Sequence, residues 1–156
     1  PFGYIQVGPI RATFMHIPVI IAGVVEGPLA GALVGLIFGI SSLVSNLSGP
    51  LAPVFINPLV SIVPRVLIGI ISAYAYKATK SSVFSAALGT ATNTIGVLGM
   101  IYLTAARQYT QITGITMENL GKVLIGVAST NGLAEITVAI ILVTAVMRGL
   151  NRMHRK

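Results

Sequence analysis

GPLAGALVGLIFGISSLVSN, residues 27–46, decides how the rest of the chain is read. The stretch carries no charge, and at about 1.5 Å per residue it reaches the ~30 Å needed to cross a hydrocarbon core. Gly27, Gly31, Gly35 and Gly39 recur every fourth residue. In a soluble helix each would cost close to ~1 kcal/mol relative to alanine. In lipid the helix survives because unpaired backbone is forbidden there, and a glycine stripe lets a second helix approach backbone to backbone. The stretch therefore reads as a transmembrane helix built to be packed against. Its partner is either the protein's own bundle or a separate membrane protein.

Composition extends this reading to the whole chain. Of 156 residues 54% are hydrophobic and 8% charged, against about 25% charged in soluble domains. The class is an all-α polytopic membrane helical bundle, a single domain over residues 1–156. There is no Cys, which excludes a disulfide framework and thiolate metal sites. The net charge of +7 is no nucleic-acid signal, because the cations sit at helix ends where they set topology.

Outward from residues 27–46, Glu26-Gly27-Pro28 makes a tight turn, preceded by a short apolar helix from Ala12 to Val25 that contains Pro18. Residues 1–11 and 47–57, rich in Gly and Pro, read as loops. Further spans are expected at Pro58–Thr79 and Val83–Ala106, with a basic loop at Lys77 and Lys80 between them. A helix from Gly121 to Leu150 would be about 45 Å long, more than one crossing needs. The cap-like run Ser129-Thr130-Asn131-Gly132 is the expected break, leaving an interfacial piece and a final span from Gly132 to Leu150.

Charge bias gives an orientation. Arg148, Arg152, Arg155 and Lys156 in the tail fall on one side with Lys77 and Lys80, and Arg11, Arg107 and Lys122 on the other. Positive-inside places the C-terminus in the cytoplasm of a bacterial cell membrane. About five spans are visible, so a chain starting in the cytoplasm has six, the first before Pro1.

Several polar groups sit where lipid tolerates them only for a reason. Arg65 lies inside its span, where a cation costs about 2.5–3.5 kcal/mol on insertion scales. It either pairs with a carboxylate or helix-end carbonyls, or it clamps an anionic ligand. Glu135 is the candidate carboxylate, one turn after Asn131. Asn131 is an N-cap or a ligand contact, Asn93 an interhelical hydrogen bond or a ligand contact. His16 is expected near the depth of Arg65, as a neutral buried side chain or a ligand contact. Together Arg65, Asn93, Asn131, Glu135 and His16 suggest a pocket, with Phe2 and Tyr4 in one flap and Phe55 and Asn57 in another. No metal site is expected, since His16 and His154 belong to opposite sides. Gly121-Lys122 lacks the upstream Gly of a phosphate loop, Asn46-Leu47-Ser48 is a sequon of high chance frequency, and no hydrolase elbow or zinc-protease motif occurs. Bond-breaking chemistry is not expected.

The run GPIRATFMHIPVIIAGVVEGPLAGALVGLIFGISSLVSN, then PRVLIGIISAY, the ATNT segment and NGLAE, resembles the substrate-binding S component of energy-coupling-factor vitamin transporters. The order of segments is most like the pantothenate type, with pyrimidine-precursor, riboflavin and folate types as neighbours. The resemblance implies six membrane helices, tight vitamin binding from outside, and docking on a transmembrane T component with two cytoplasmic ATPases. Those partners would hold ATP and Mg, drive toppling of the S component, and leave this chain without a cofactor. It also implies an Ala-x-x-x-Ala docking motif on the first helix; the spacing seen here, Ala87 to Ala91, lies on another span. A self-sufficient secondary transporter would instead show a relay of acids and an internal repeat. An assembly subunit would need no pocket.

Overall fold

The computed structural model describes residues 4–7 and 10–153, with side chains from Phe14 onward. A hairpin of β1 (Tyr4–Val7) and β2 (Ile10–Thr13) pairs antiparallel, Val7 opposite Ile10. Helices follow: α1 (His16–Glu26), α2 (Pro28–Asn46), α3 (Ala52–Phe55), α4 (Pro58–Ser61), α5 (Val63–Thr79), α6 (Ser82–Thr104), α7 (Ala106–Thr113) and α8 (Met117–Met153). Among the described residues four helices are long and apolar enough to cross a membrane: α2, α4 and α5 taken together, α6 and α8. The fold is thus an all-α polytopic membrane bundle with a small hairpin at its start.

The faces of α2 are arranged as a bilayer requires. It buries Gly31, Gly35, Phe38, Gly39 and Ser42 while Leu29, Leu33, Ile37, Ile40 and Val44 stay exposed. Lipid tails are as apolar as leucine, so what drives helices together is close packing rather than escape from water. A Cβ on Gly31 would lie 2.8 Å from the Cα of both Gly23 in α1 and Gly69 in α5. One on Gly35 would strike the carbonyl of Arg65, and one on Gly39 would lie 2.8 Å from Ile62 Cα. The stripe is therefore occupied by α1 and α5 of the same chain. Gly27 serves differently: with φ of 99° it turns the chain between α1 and α2, and a Cβ there would meet nothing.

Three segments differ from expectation. Ala12 and Thr13 belong to β2, and the helix starts at His16; the first segment, read as a loop, pairs as a hairpin because its Tyr, Ile and Val carry strand propensity. Within 47–57, Ala52–Phe55 forms a helical turn with Pro53 in its first turn. The third span keeps its expected bounds, Pro58–Thr79, with a local interruption at Ile62 between α4 and α5. The largest correction is α8, which runs unbroken for 37 residues through Ser129–Gly132. Ser129 and Thr130 turn their hydroxyls back onto the carbonyls of Ile125 and Gly126, at 2.9 and 3.0 Å. A hydroxyl satisfied one turn back is compatible with a continuous helix, and no proline interrupts the run.

Among the described residues, two apolar clusters stabilise the bundle. The larger joins Ile17, Ile20, Phe38, Ile68, Ala139 and Val143 among others; the smaller joins Val54, Val60, Ile101 and Ala105 near α3 and α4. α7 leans on the smaller cluster through Tyr109, and burial there pushes the Tyr109 phenol above its ordinary range.

Candidate solute-binding site

The larger apolar cluster is a floor, and a polar layer lies directly above it. On each of these helices the polar residues lie within one or two turns of a floor residue, always displaced toward the same end of the bundle. His16 precedes Ile17 on α1, Ser42 follows Phe38 on α2, and Arg65 precedes Ile68 on α5; Thr90 and Asn93 follow Ala86 on α6, and Glu135 precedes Ala139 on α8. All six of these polar positions are buried, Ser42 at 3% exposure. With only eleven residues, α1 covers about 16 Å. It begins at the level of this layer, so the half-thickness beyond His16 is left to the chain that enters from β2, which lies beside α8.

Arg65 owes its placement to its neighbour. Pro64 has no N–H, so the carbonyl of Val60, four residues back, loses its helical partner. Nη1 of Arg65 donates to that carbonyl at 2.7 Å, Nη2 lies 3.5 Å from Ser42 Oγ, and the guanidinium sits 5.4 Å from the centre of the Phe38 ring. The third residue of α5 thus repairs the break at Ile62 and brings its charge to the top of the floor.

On the far side, α6 presents Thr90, Asn93 and Thr94 as one stripe, the i, i+3, i+4 spacing of a helix face. The hydroxyl of Thr90 and Nε2 of His16 are 3.1 Å apart. Thr94 donates to Oε2 of Glu135 at 3.2 Å, and its methyl would be 3.5 Å from a Cβ on Gly132. Asn93, 4% exposed, stands between these pairs. Its Oδ1 has no hydrogen-bond partner among the described residues. Asn131 is half-buried within α8, one turn before Glu135, and caps nothing because the helix is continuous there.

Two expectations about depth and gating need correction. His16 lies level with Thr90, whereas Pro64, beside Arg65, lies against Gly96; six residues of α6 separate those levels, about 9 Å. Phe55 packs into the smaller cluster. Asn57 caps α4 by accepting from the Leu59 N–H at 3.0 Å and donates to Thr104 at 3.1 Å. Both residues are thereby tied into packed structure rather than a loose loop. Phe2 lies outside the described residues, and Tyr4 is placed only as a backbone position in β1.

A family model described as "ECF transporter, substrate-specific component" matches residues 2–147. The chain belongs to that family. The "Pantothenic acid transporter PanT" of Lactococcus lactis is 32% identical over 164 residues, covering 92% of this chain and 80% of the relative. The "Pantothenate transporter PanT" of Leuconostoc mesenteroides is 31% identical over 161 residues, covering 92% and 79%. This S component is accordingly a multi-pass bacterial membrane protein of a transporter family.

Sequence reasoning passed over Ser42, Phe38 and Thr90, and met Thr94 only as part of the ATNT segment. The signal that finds Ser42 and Thr90 is a polar residue one turn from a core position, Phe38 and Ala86 respectively, displaced in the same direction on both helices. The S component also has a shallow hollow of about 480 Å³ at the α7–α8 corner, lined by Gly114, Ile115, Thr116, Asn119, Lys122 and Val123. Lys122 is thirteen residues before Glu135, about 20 Å along α8, so this hollow is separate from the polar layer.

Proposed function

We propose that this S component binds pantothenate in the polar layer, on the side from which the hairpin enters, and delivers it inward as the solute-recognition subunit of an ATP-driven importer. Two pantothenate transporters that align with 92% of the chain carry the choice of solute. The layer supplies suitable chemistry: Arg65 is a permanent cation for the carboxylate, and the apolar floor suits the dimethyl segment. His16, Asn93, Asn131 and Glu135 complete the polar wall, and the hairpin with Tyr4 closes over it.

Energy comes from elsewhere in this reading. A T component and two ATPases, which hold the ATP and Mg, would tilt the subunit, while this chain performs no bond-breaking step. Lys77, Lys80, Arg148 and Arg152 gather at the end where α5 and α8 finish, which supports a cytoplasmic C-terminus. The test is titration of the purified chain, without partners, against a panel of water-soluble vitamins. Submicromolar binding of pantothenate alone is expected. Preference for riboflavin, folate or hydroxymethylpyrimidine would redirect the solute assignment, and binding of none would remove the proposal.

A further inference from the structure

The polar layer is chemically two-sided. On the α5 side Arg65 is a donor with no acceptor capacity. On the α6–α8 side, Glu135 accepts from Thr94 at 3.2 Å, and Asn93 offers an Oδ1 with no hydrogen-bond partner among the described residues although the residue is only 4% exposed. The hydroxyls on either side of Asn93 are engaged, Thr90 with His16 and Thr94 with Glu135. A buried carbonyl left without a donor is a cost that native proteins rarely accept unless something else supplies the donor. The stripe is therefore complete at both neighbours and incomplete at its middle member.

We propose that Asn93 is the specificity-determining acceptor of this site, taking a hydrogen bond from an alcohol or amide N–H of the solute. The assignment rests on the reading that the polar layer binds pantothenate, and it fixes the direction in which the molecule lies. The carboxylate end faces Arg65, and the hydroxylated amide end faces Asn93 and Glu135. The reverse pose would set the solute's carboxylate against the carboxylate of Glu135. The site thus selects an acid that also carries a donor at its far end, and rejects acids of similar size that lack one.

The experiment titrates the full-length purified chain with pantothenate, with an analogue whose hydroxyls are replaced by hydrogen, and with one whose amide is replaced by an ester. The same ligands are titrated into Asn93→Leu, and both apo proteins are melted. Wild type is expected to prefer pantothenate by about tenfold over at least one analogue. Asn93→Leu is expected to melt at or above wild type, because an orphan acceptor has gone, to bind pantothenate about tenfold more weakly, and to lose the preference. Unchanged affinity in Asn93→Leu, or an undiminished preference, would overturn the assignment while leaving the pantothenate reading intact. No pantothenate binding by wild type would end both. Should Asn93→Leu not fold, the wild-type titrations decide: equal affinity for all three ligands overturns the assignment.

Discussion

The seam between α2 and α5 and the seam between α6 and α8 solve the same problem in opposite ways. At the first, Gly31, Gly35, Gly39 and Gly69 remove side chains so that backbone meets backbone, leaving space for nothing else. At the second, hydroxyl and carboxylate side chains hold the helices, with Thr94 reaching Glu135 and only ordinary contact at Gly132. The difference teaches where the molecule is shut and where it is adaptable. A glycine seam has one geometry, set by backbone sterics. A polar seam carries groups whose partners can be exchanged, which is the property a binding site needs.

Substitutions that swap the character of the seams test this contrast. The largest effect is expected from Gly69→Ala, whose Cβ would strike the carbonyl of Gly31. Since neither backbone can yield cheaply, a loss on the order of 3 kcal/mol is expected, seen as a lower melting temperature of the purified protein. A melting temperature equal to wild type would show that the first seam is not shut. Next is Arg65→Ala, which removes the donor side of the site; pantothenate affinity should fall by about tenfold or more, ~1.4 kcal/mol, by titration. Unchanged affinity would reduce Arg65 to the partner of the Val60 carbonyl. Thr94→Val should weaken binding by about fivefold, ~1 kcal/mol, through Glu135, and Thr94→Ser should restore it. Equal loss in both variants would make Thr94 a packing residue only. The smallest effect belongs to Gly132→Ala, where the added methyl finds ordinary contact 3.5 Å from Thr94. Its melting temperature should stay within the equivalent of ~1 kcal/mol of wild type, helped by alanine's helix propensity.

These seams were not equally legible in the sequence. The four-residue spacing of Gly31, Gly35 and Gly39 announces a close helix contact, but it does not name α5 as the partner. That requires Gly23 and Gly69, which come from separate segments and carry no spacing signal of their own. The long spans follow from uninterrupted apolar runs, whereas Ser129 to Gly132 misled because a serine or threonine cap and a hydroxyl bonded one turn back share the same residues. Arg65, Asn93 and Glu135 stand out as polar groups in apolar runs. Their arrangement as one layer over a floor does not, since it depends on which residues of five helices share a depth. His16 illustrates this: short α1 begins at the level of Thr90, about 9 Å from the level beside Arg65. The two strands were hidden in the sequence because the Gly and Pro of residues 1–11 read as loop markers.

The central claim is that a solute completes the polar layer, and an experimental structure of the purified chain with pantothenate tests it most directly. The account predicts the vitamin above Ile17, Phe38 and Ala139, its carboxylate at Arg65 and a donor within hydrogen-bond distance of Asn93 Oδ1. Pantothenate bound at another place, with Asn93 Oδ1 satisfied by protein and no space between Arg65, Asn93 and Glu135, would contradict it.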